Sequence, residues 1–381
     1  MRKIIILALL FISVVGKAQK PLNFQSVDSI TYQCFLSGDW DKLIRIGNEA
    51  ILQNIDYKKL RQRIGYACFA NEDFYAAQKN YEKALAFDAY DADTRSYLYY
   101  CGLNTGNESF ARFHAAKLPV EVQQNLKIKP FKIIDAIDFE YNYKSNNSGS
   151  RSNPTYTRLG LSTQLDFRFT LYQSVSYYSQ TFSPDTIVKQ PEYYAMLSWA
   201  ASSHISLNAA YHYLGMNKAG ILTPANMGFV SISAKLNRFH FGLNGSVLAD
   251  KLYNTSQIGV NAGVTFEGKS NVTLNSSFSQ ITEKAVSRSV FSQSFGAMLF
   301  TSLWAEANVT IGDLNNYNDY NALYVYNSID PTKFRAGVTM FYYLGKRFTI
   351  TANYTYDSKQ INITNYNYMQ QSFLGGIRWK L

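Results

Sequence analysis

The chain has 381 residues and a formal net charge of +10, with 17% charged and 15% aromatic residues. Aromatic side chains at this frequency exclude an intrinsically disordered chain, and the lack of long apolar runs after the N-terminus excludes a polytopic helical membrane protein. Residues 24–125 include 11 basic and 13 acidic residues, and residues 126–381 include 22 basic and 14 acidic residues. The basic residues are scattered and form no stripe. We therefore expect no nucleic-acid partner.

The first 18 residues predict an export signal. Arg2 and Lys3 form a positive start, residues 4–15 are an apolar run, and Ala18 ends a small-x-small cleavage site. We place a signal peptide at 1–18. The run is short for a membrane span, which leaves an uncleaved anchor as the alternative.

A helical repeat follows over residues 19–125. Cys34, Cys68 and Cys101 lie 34 and 33 residues apart in similar surroundings, and this period is typical of tetratricopeptide (TPR) repeats. The cysteines fall at equivalent packing positions, which predicts buried thiols rather than disulfides or metal ligands. A short array of this kind docks a partner segment, with a spacer role as the alternative. The predicted packing and docking residues are Cys34, Trp40, Gly65, Cys68, Phe74, Ala77, Tyr81, Ala84 and Cys101.

Apolar and polar residues alternate from about residue 131 to the C-terminus. Ala352, Tyr354 and Tyr356, for example, alternate with polar neighbours, which is the period of a β-strand. We predict 14 strands of the length that a tilted strand needs to cross a bilayer. They lie near 131–144, 155–167, 168–181, 191–201, 204–215, 228–236, 239–250, 256–266, 271–282, 290–301, 303–313, 333–343, 348–359 and 366–380.

Short and long connections alternate between these strands, as in outer-membrane barrels with short periplasmic turns and long outer loops. The longest outer connection, Gly312 to Thr332, is rich in Asn and Tyr, and a fold into the lumen would constrict it. The other predicted long connections are Ser145 to Pro154, Ser183 to Gln190, Asn217 to Asn226, Asp250 to Ser256, Thr282 to Ser289 and Ser358 to Asn365.

The pattern predicts a mainly β protein, in which a short all-α TPR-like domain at 19–125 precedes a transmembrane antiparallel β-barrel of about 14 strands at 126–381. Gly376, Trp379 and Leu381 resemble the C-terminal ending that the barrel-assembly machinery recognises. We therefore expect outer-membrane lipid and that machinery as partners. The expected location is the bacterial outer membrane, with the helical domain in the periplasm.

Inward positions of the predicted barrel are mostly Ser, Thr, Asn and Gly, which gives a hydrated wall with isolated charges. No sequence motif of a hydrolase, kinase or zinc site is present, so we predict no enzyme activity, catalytic residue, metal or cofactor. A hydrolase with a lumen or rim histidine beside Asp138 or Glu140 is the alternative. The predicted lumen residues are Asp138, Glu140, His212, Lys235, His240, Glu306, Arg335 and Arg378.

The export signal, TPR-like region and C-terminal barrel together resemble TPR-plus-barrel outer-membrane exporters, such as the YaiO-like family and the exporters of cellulose and poly-N-acetylglucosamine. A second resemblance is to the Slam translocators of surface lipoproteins. The first resemblance implies export or assembly of an exopolysaccharide, with a periplasmic protein bound to the repeats and the polymer passing the barrel. The second implies a client protein as cargo, and a passive porin or a structural subunit remains a further alternative.

Overall fold

The computed structural model describes residues 22–149, 151–182, 186–218, 220–251, 253–266, 268, 270–327, 329–361 and 366–381. The predicted signal peptide and its cleavage site lie outside these residues. The chain divides into two compact units, the first ending at Thr94 and the second running from Arg95 to Leu381. Within the described residues, no helix is long and apolar enough to cross a membrane.

Helices occupy most of the chain from Phe24 to Asn125. The first pair starts at residues 24 and 40, the second at 58 and 74, and the third at 92 and 108, so each pair begins 34 residues after the one before. The helices are α1 (Phe24–Ser37), α2 (Trp40–Leu52), α3 (Lys58–Ala70), α4 (Phe74–Phe87), α5 (Ala92–Asn104), α6 (Glu108–Ala115) and α7 (Val120–Asn125).

Side-chain caps fix the starts of several helices. Asn23 forms a capping box with Ser26, and Asp39, Asp73 and Asn107 each accept a hydrogen bond from a backbone N–H of the following first turn. Such caps satisfy donors that have no partner inside the helix.

Small residues let the paired helices approach. A Cβ at Gly65 would lie 3.0 Å from the ring of Tyr81, which is buried together with Ala77 and Ala84 in α4. Trp40 packs against Tyr66 with ring centroids 5.4 Å apart, and Phe74 packs against Phe69 at 5.2 Å. Cys34, Cys68 and Cys101 are buried in α1, α3 and α5 and form no disulfide, and burial raises the pKa of Cys68 to about 12.

One ion-pair cluster joins α3 to the segment before α5. The Lys58 ammonium donates to Asp88 at 2.8 Å and to Asp91 at 2.9 Å, and Asp91 also accepts from the Thr94 backbone N–H. Burial raises the pKa of Asp91, but the hydrogen bonds from Lys58 and Thr94 outweigh it and hold that pKa at about 2.

This depressed pKa makes the stability of the first unit depend on pH. A carboxyl group with a folded pKa near 2 and an ordinary value of 3.8 stabilises the fold above about pH 4, and the contribution is lost as the pH falls towards 2. We expect Asp91→Asn to cost about 1 kcal/mol at pH 7, which lowers the melting temperature of the helices by several degrees. Melting followed at 222 nm between pH 7 and 2 checks this. An unchanged melting temperature at pH 7 would contradict it.

The remainder of the chain forms a closed antiparallel barrel of 14 strands, which confirms the predicted fold class. Each barrel strand pairs with its neighbour in sequence, and β16 closes the ring against β1. The strands are β1 (Lys132–Asn146), β2 (Thr155–Gln164), β3 (Phe169–Phe182), β4 (Thr186–Ala200), β5 (Ile205–Lys218), β6 (Ile221–Leu236), β7 (Phe239–Ala249), β8 (Asn254–Phe266), β9 (Val272–Glu283), β10 (Val286–Phe300), β11 (Leu303–Gly312), β12 (Asn318–Asp319), β13 (Tyr324–Val325), β14 (Thr332–Leu344), β15 (Phe348–Ile361) and β16 (Tyr366–Lys380).

The barrel has two distinct ends. The end where β1 begins and β16 finishes is here called the terminal end. The opposite end, here called the loop end, carries the long connection between β11 and β14. The short β12 and β13 pair only with each other inside that connection.

Several connections at the loop end are shorter than predicted. The predictions for 217–226 and 282–289 are wrong, because β5 runs to Lys218, β6 starts at Ile221, and only Lys284 and Ala285 separate β9 from β10. The polar residues there continue the strands, since pairing satisfies their backbone N–H and C=O groups. Residues 183–185 and 362–365, parts of two other predicted loops, lie outside the described residues.

The exterior of the barrel is apolar. Outward side chains such as Phe139, Val230 and Ile258 are 44%, 61% and 70% exposed, and neighbouring strands continue this surface around the ring. A continuous exposed apolar surface is unfavourable in water and requires an apolar environment or partner.

The last strand sits within this surface. Trp379 stacks on Phe348 with centroids 5.9 Å apart, Gly376 lies opposite Glu140 in the ladder, and the Leu381 N–H donates to the Asp135 carbonyl at 2.9 Å. The strand that carries the predicted assembly signal therefore also closes the barrel.

Candidate functional site

A loop of residues 313–331, described except at position 328, crosses the interior of the barrel. This lumen loop leaves β11 at Gly312 and returns at Thr332, and its strands β12 and β13 form a small hairpin inside the ring. Leu314, Tyr317 and Asn318 are buried although they belong to a connection. The expectation that this connection lies outside with the other outer loops is wrong, and the inward fold that would constrict the lumen is what the structure shows.

The tip of the hairpin has an unusual backbone. Tyr320, Asn321 and Ala322 have φ values of 50°, 58° and 65°, a left-handed conformation that costs non-glycine residues about 1–2 kcal/mol each. The wall holds this turn in place. The Tyr194 hydroxyl donates to the Asn321 carbonyl at 2.8 Å, and His212 Nδ1 lies 2.8 Å from the Ala322 carbonyl, which places the proton on that nitrogen.

Apolar side chains from the wall pack against the loop on one side of the lumen. Ala322 lies in a cluster with inward residues of β5, β6 and β7, and Leu314 and Tyr317 lie in a second cluster with inward residues of β9 and β10. We did not predict these inward apolar positions. The wall residues are Leu214, Met227, Phe229 and Leu248 in the first cluster and Ile281 and Val290 in the second.

An amide network fixes the first strand of the hairpin. Asn318 donates from Nδ2 to Ser246 Oγ at 2.7 Å and to Gln257 Oε1 at 3.0 Å, and Gln257 Nε2 donates back to the Asn318 carbonyl at 3.0 Å. These reciprocal bonds satisfy buried polar groups on both partners, so the loop is tied to β7 and β8.

Ionic groups hold the loop on the opposite wall. The Arg158 guanidinium donates to Glu140 at 2.5 Å and to the Tyr324 hydroxyl at 2.9 Å, and that hydroxyl donates to the other Glu140 oxygen at 2.8 Å. The Tyr324 hydroxyl of the loop therefore bonds both members of the Arg158–Glu140 ion pair.

Two further ionic sets repeat this arrangement. Arg335 binds Asp357 through two bonds of 2.7 and 2.9 Å and donates to the Tyr326 hydroxyl. Asp330 accepts from Arg151 at 2.9 Å and from the Tyr368 hydroxyl at 3.0 Å. Removing one member of such a buried set leaves a charge without a partner, which is costly, so the loop is held firmly.

The remaining predicted lumen residues lie at different depths. Asp138 accepts from the Tyr172 hydroxyl at 2.9 Å, His240 bonds Asn275, and Glu306 lines the same cavity as His240. The hydrolase alternative requires a histidine beside Asp138 or Glu140. The neighbour of His212 is Glu192, whose Oε2 lies 3.4 Å from Nε2.

The cavity has a volume of about 720 Å³ and extends to both sides of the loop. Its part towards the terminal end is rich in amide and hydroxyl groups, which hydrogen-bond neutral polar molecules. Within the described residues, no group of three or more His, Cys, Asp and Glu is placed to bind a metal. The amide-bearing lining residues here are Asn244, Asn261, Asn275, Asn308 and Asn353.

Helices of the second unit lie against the terminal end. Phe113 packs under the Arg168 guanidinium at 5.4 Å, and Glu108 pairs with Lys380 at 3.2 Å. Lys235 donates to the Thr105 carbonyl, while Arg378 donates to Ser162 at 3.4 Å. The α5–α6 turn and α6 thus contact the rim from β16 to β6, and one predicted lumen residue, Lys235, binds them.

The chain matches no protein-family model and no curated protein. Among solved structures it is similar to the toluene transporter TodX of P. putida, with a TM-score of 0.44 and 7% identity over 66% of this chain and 91% of that one. A bacterial polysaccharide outer membrane secretin has a TM-score of 0.41 and 9% identity over 66% of this chain and 100% of that one. The NalP translocator domain from Neisseria meningitidis has a TM-score of 0.36 and 13% identity over 76% of this chain and 98% of that one.

These similarities are too distant to transfer a function to this chain. A closed barrel, a polar cavity and a loop tied to both walls are the components of the site. The second unit is therefore a 14-stranded β-barrel whose lumen is crossed by its own loop.

Proposed function

We propose that this protein is an outer-membrane channel that exports or assembles a surface polymer and is closed at rest by its lumen loop. The apolar exterior supports membrane insertion, because only a closed barrel satisfies all strand hydrogen bonds within a bilayer. The observation that carries the proposal is the lumen loop itself, which is tied to strands on both sides of a polar cavity.

The proposed orientation puts the terminal end in the periplasm. The chain enters β1 and leaves β16 at that end, and the export signal at 1–18 would deliver it across the inner membrane. In this arrangement the TPR-like helices bind a periplasmic protein that delivers the cargo. We propose that the barrel-assembly machinery inserts the barrel from the same side.

The cargo that best fits is an extended, hydroxyl-rich chain such as an exopolysaccharide. Amide and hydroxyl groups line the inner part of the cavity, and tyrosines of the lumen loop offer apolar ring faces for sugars. Translocation of a surface protein or lipoprotein is an alternative, which like polymer export would require the loop to move. A passive channel for small solutes is the second candidate, which the cavity of about 720 Å³ favours.

We also propose that the protein acts without a catalytic step. Two of the ionisable groups in the lumen support the loop: His212 binds the Ala322 carbonyl, and Glu140 binds Tyr324 and Arg158. Their hydrogen-bonding capacity serves the loop, and this assigns them a positioning role.

Conductance of the purified protein in a planar lipid bilayer tests the proposal. Because the loop is held by three ionic sets and two apolar clusters, we expect the wild-type protein to insert but to show only rare, small conductance steps. Steady large steps in the wild-type protein would overturn the closed resting state.

A further inference from the structure

A patch of the wall lies between the lumen loop and the loop end of the barrel. Lys144 of β1 stands opposite Ser372 of β16 in the ladder, and Asn142 lies two residues from Lys144 on the same inward face. All three residues line the cavity. Glu140, which holds Tyr324 of the lumen loop, is the next inward residue towards the terminal end, so the patch lies on the outer side of that contact.

The hydrogen bonding of this patch is incomplete. Ser372 is 2% exposed, and within the described part of the chain its Oγ has no hydrogen-bond partner. The Asn142 Oδ1 atom is likewise buried and unpaired among those residues. Buried polar atoms are nearly always paired, so two neighbouring exceptions that line one cavity indicate groups that a ligand completes.

Lys144 adds a positive charge to these two groups. Among the described residues its ammonium makes no ion pair, and it lies 6.0 Å from the centroid of the Tyr178 ring. Asp357 lines the same cavity, but Arg335 already holds both of its oxygens. A cation directed into a cavity whose neighbouring carboxylate is occupied attracts an anion.

The geometry points to a binding site for a hydroxylated anion, either a sugar acid or a sugar phosphate, formed by Lys144, Ser372 and Asn142. The anionic group accepts from the Lys144 ammonium and the Ser372 hydroxyl, and a hydroxyl of the same molecule donates to Asn142 Oδ1. Lys359 lines the same cavity and donates to the Thr332 hydroxyl at 3.1 Å. The inference deepens the proposed function because it names the charge of the cargo. The binding site does not depend on that function, but the identification of the bound molecule as cargo rests on it.

Isothermal titration calorimetry of the full-length protein in detergent tests the site, with glucuronate, glucose 6-phosphate and glucose as probes. We expect at least one of the two anions to bind and glucose to give no measurable binding. Lys144→Gln should weaken anion binding about tenfold or more, because it removes a charge-assisted hydrogen bond. Ser372→Ala, which removes a neutral donor, should weaken binding by about 2- to 10-fold.

Lys218→Gln is the matched control, since it removes the same charge at an exposed position at the end of β5, and it should bind like the wild type. The heat-dependent shift of each variant in gel electrophoresis verifies that the barrel is folded. Equal binding of glucose and the anions, or unchanged anion binding by folded Lys144→Gln, would overturn the site. Binding in detergent does not require transport through the barrel. A protein that binds anions but never conducts would therefore contradict the channel function and still support the binding site.

Discussion

Replacing residues 314–330 by a short Gly-Ser linker is expected to convert rare, small conductance steps into steady steps several-fold larger. The lumen loop occupies the centre of the barrel. Without the loop, a barrel of 14 strands is wider than the small barrels that side chains fill and narrower than the open porins. Planar-bilayer recording under identical salt and voltage measures the change. This is the largest effect that we expect from a change within the barrel.

The barrel should survive this excision. Arg335 and Asp357 still pair with each other, as do Arg158 and Glu140, so most wall charges keep a partner. The cost is the exposure to water of the apolar wall residues around Phe229, which lowers stability without opening the ladder. A heat-dependent shift in gel electrophoresis verifies the fold of the variant.

A matched insertion controls for the linker itself. The same Gly-Ser sequence inserted between Lys284 and Ala285 lengthens the β9–β10 turn at the loop end. It leaves the lumen loop in place and should leave the conductance unchanged. Equal conductance of the wild-type and excised proteins, both folded, would show that the loop does not close the channel.

Deleting residues 22–91 is expected to abolish export while the barrel still inserts in the outer membrane. The cut leaves α5 and α6 intact, and these helices belong with the barrel, whereas most of the helical repeats belong to the first unit. If the repeats dock the protein that delivers the cargo, polymer or client protein should accumulate in the periplasm. Surface glycan and exposed lipoproteins are quantified in parallel in the same strain.

The pattern of loss separates the hypotheses. Loss of surface glycan alone supports polymer export, and loss of exposed lipoprotein alone supports the translocator alternative. Unchanged levels of both, with reduced uptake of small solutes, would leave a passive channel. A longer deletion of 22–125 also removes the helices that contact Arg168 and Lys380 at the rim. The shorter deletion keeps these contacts and therefore tests the repeats alone.

The strands could be predicted because their signal is local. Alternation along each segment follows from one face meeting lipid and the other meeting the lumen, and the predicted and observed strands agree to within a few residues over most of their length. The predictions failed where polar segments were taken as loops, as at 217–226. Strand pairing beyond the apolar belt depends on the neighbouring strand rather than on residue type.

The lumen loop could not be placed from the sequence, because its contacts join distant parts of the chain. Tyr324 meets Glu140, which lies 184 residues away, and Asn318 meets Gln257 at a separation of 61. Tyrosine and asparagine are equally common in exposed loops. One feature of the sequence could have indicated the inward loop. In β6, Met227 and Phe229 face inward and Val230 faces outward, so both faces of that strand are apolar near the loop.

The charged lumen residues were individually recognisable, but their roles were not. Arg335 and Glu140 follow the strand alternation, which indicates that their side chains point into the lumen but not which residues they bind. Their pairing with Asp357 and Arg158, and the contribution of loop tyrosines to each pair, arise only when the barrel closes. For the same reason, the unpaired atoms of Asn142 and Ser372 are a property of the folded wall.

The accessibility of the lumen loop in intact cells tests the central claim most directly. A single cysteine replaces Asp319 at the hairpin or Lys251 at an exposed loop-end turn, in a chain whose native cysteines are changed to alanine. Cells are then treated with a bulky polyethylene-glycol maleimide that cannot enter a closed barrel. Labelling of the Lys251→Cys protein with protection of the Asp319→Cys protein is the result predicted for a loop folded into the lumen, and equally rapid labelling of both would contradict it.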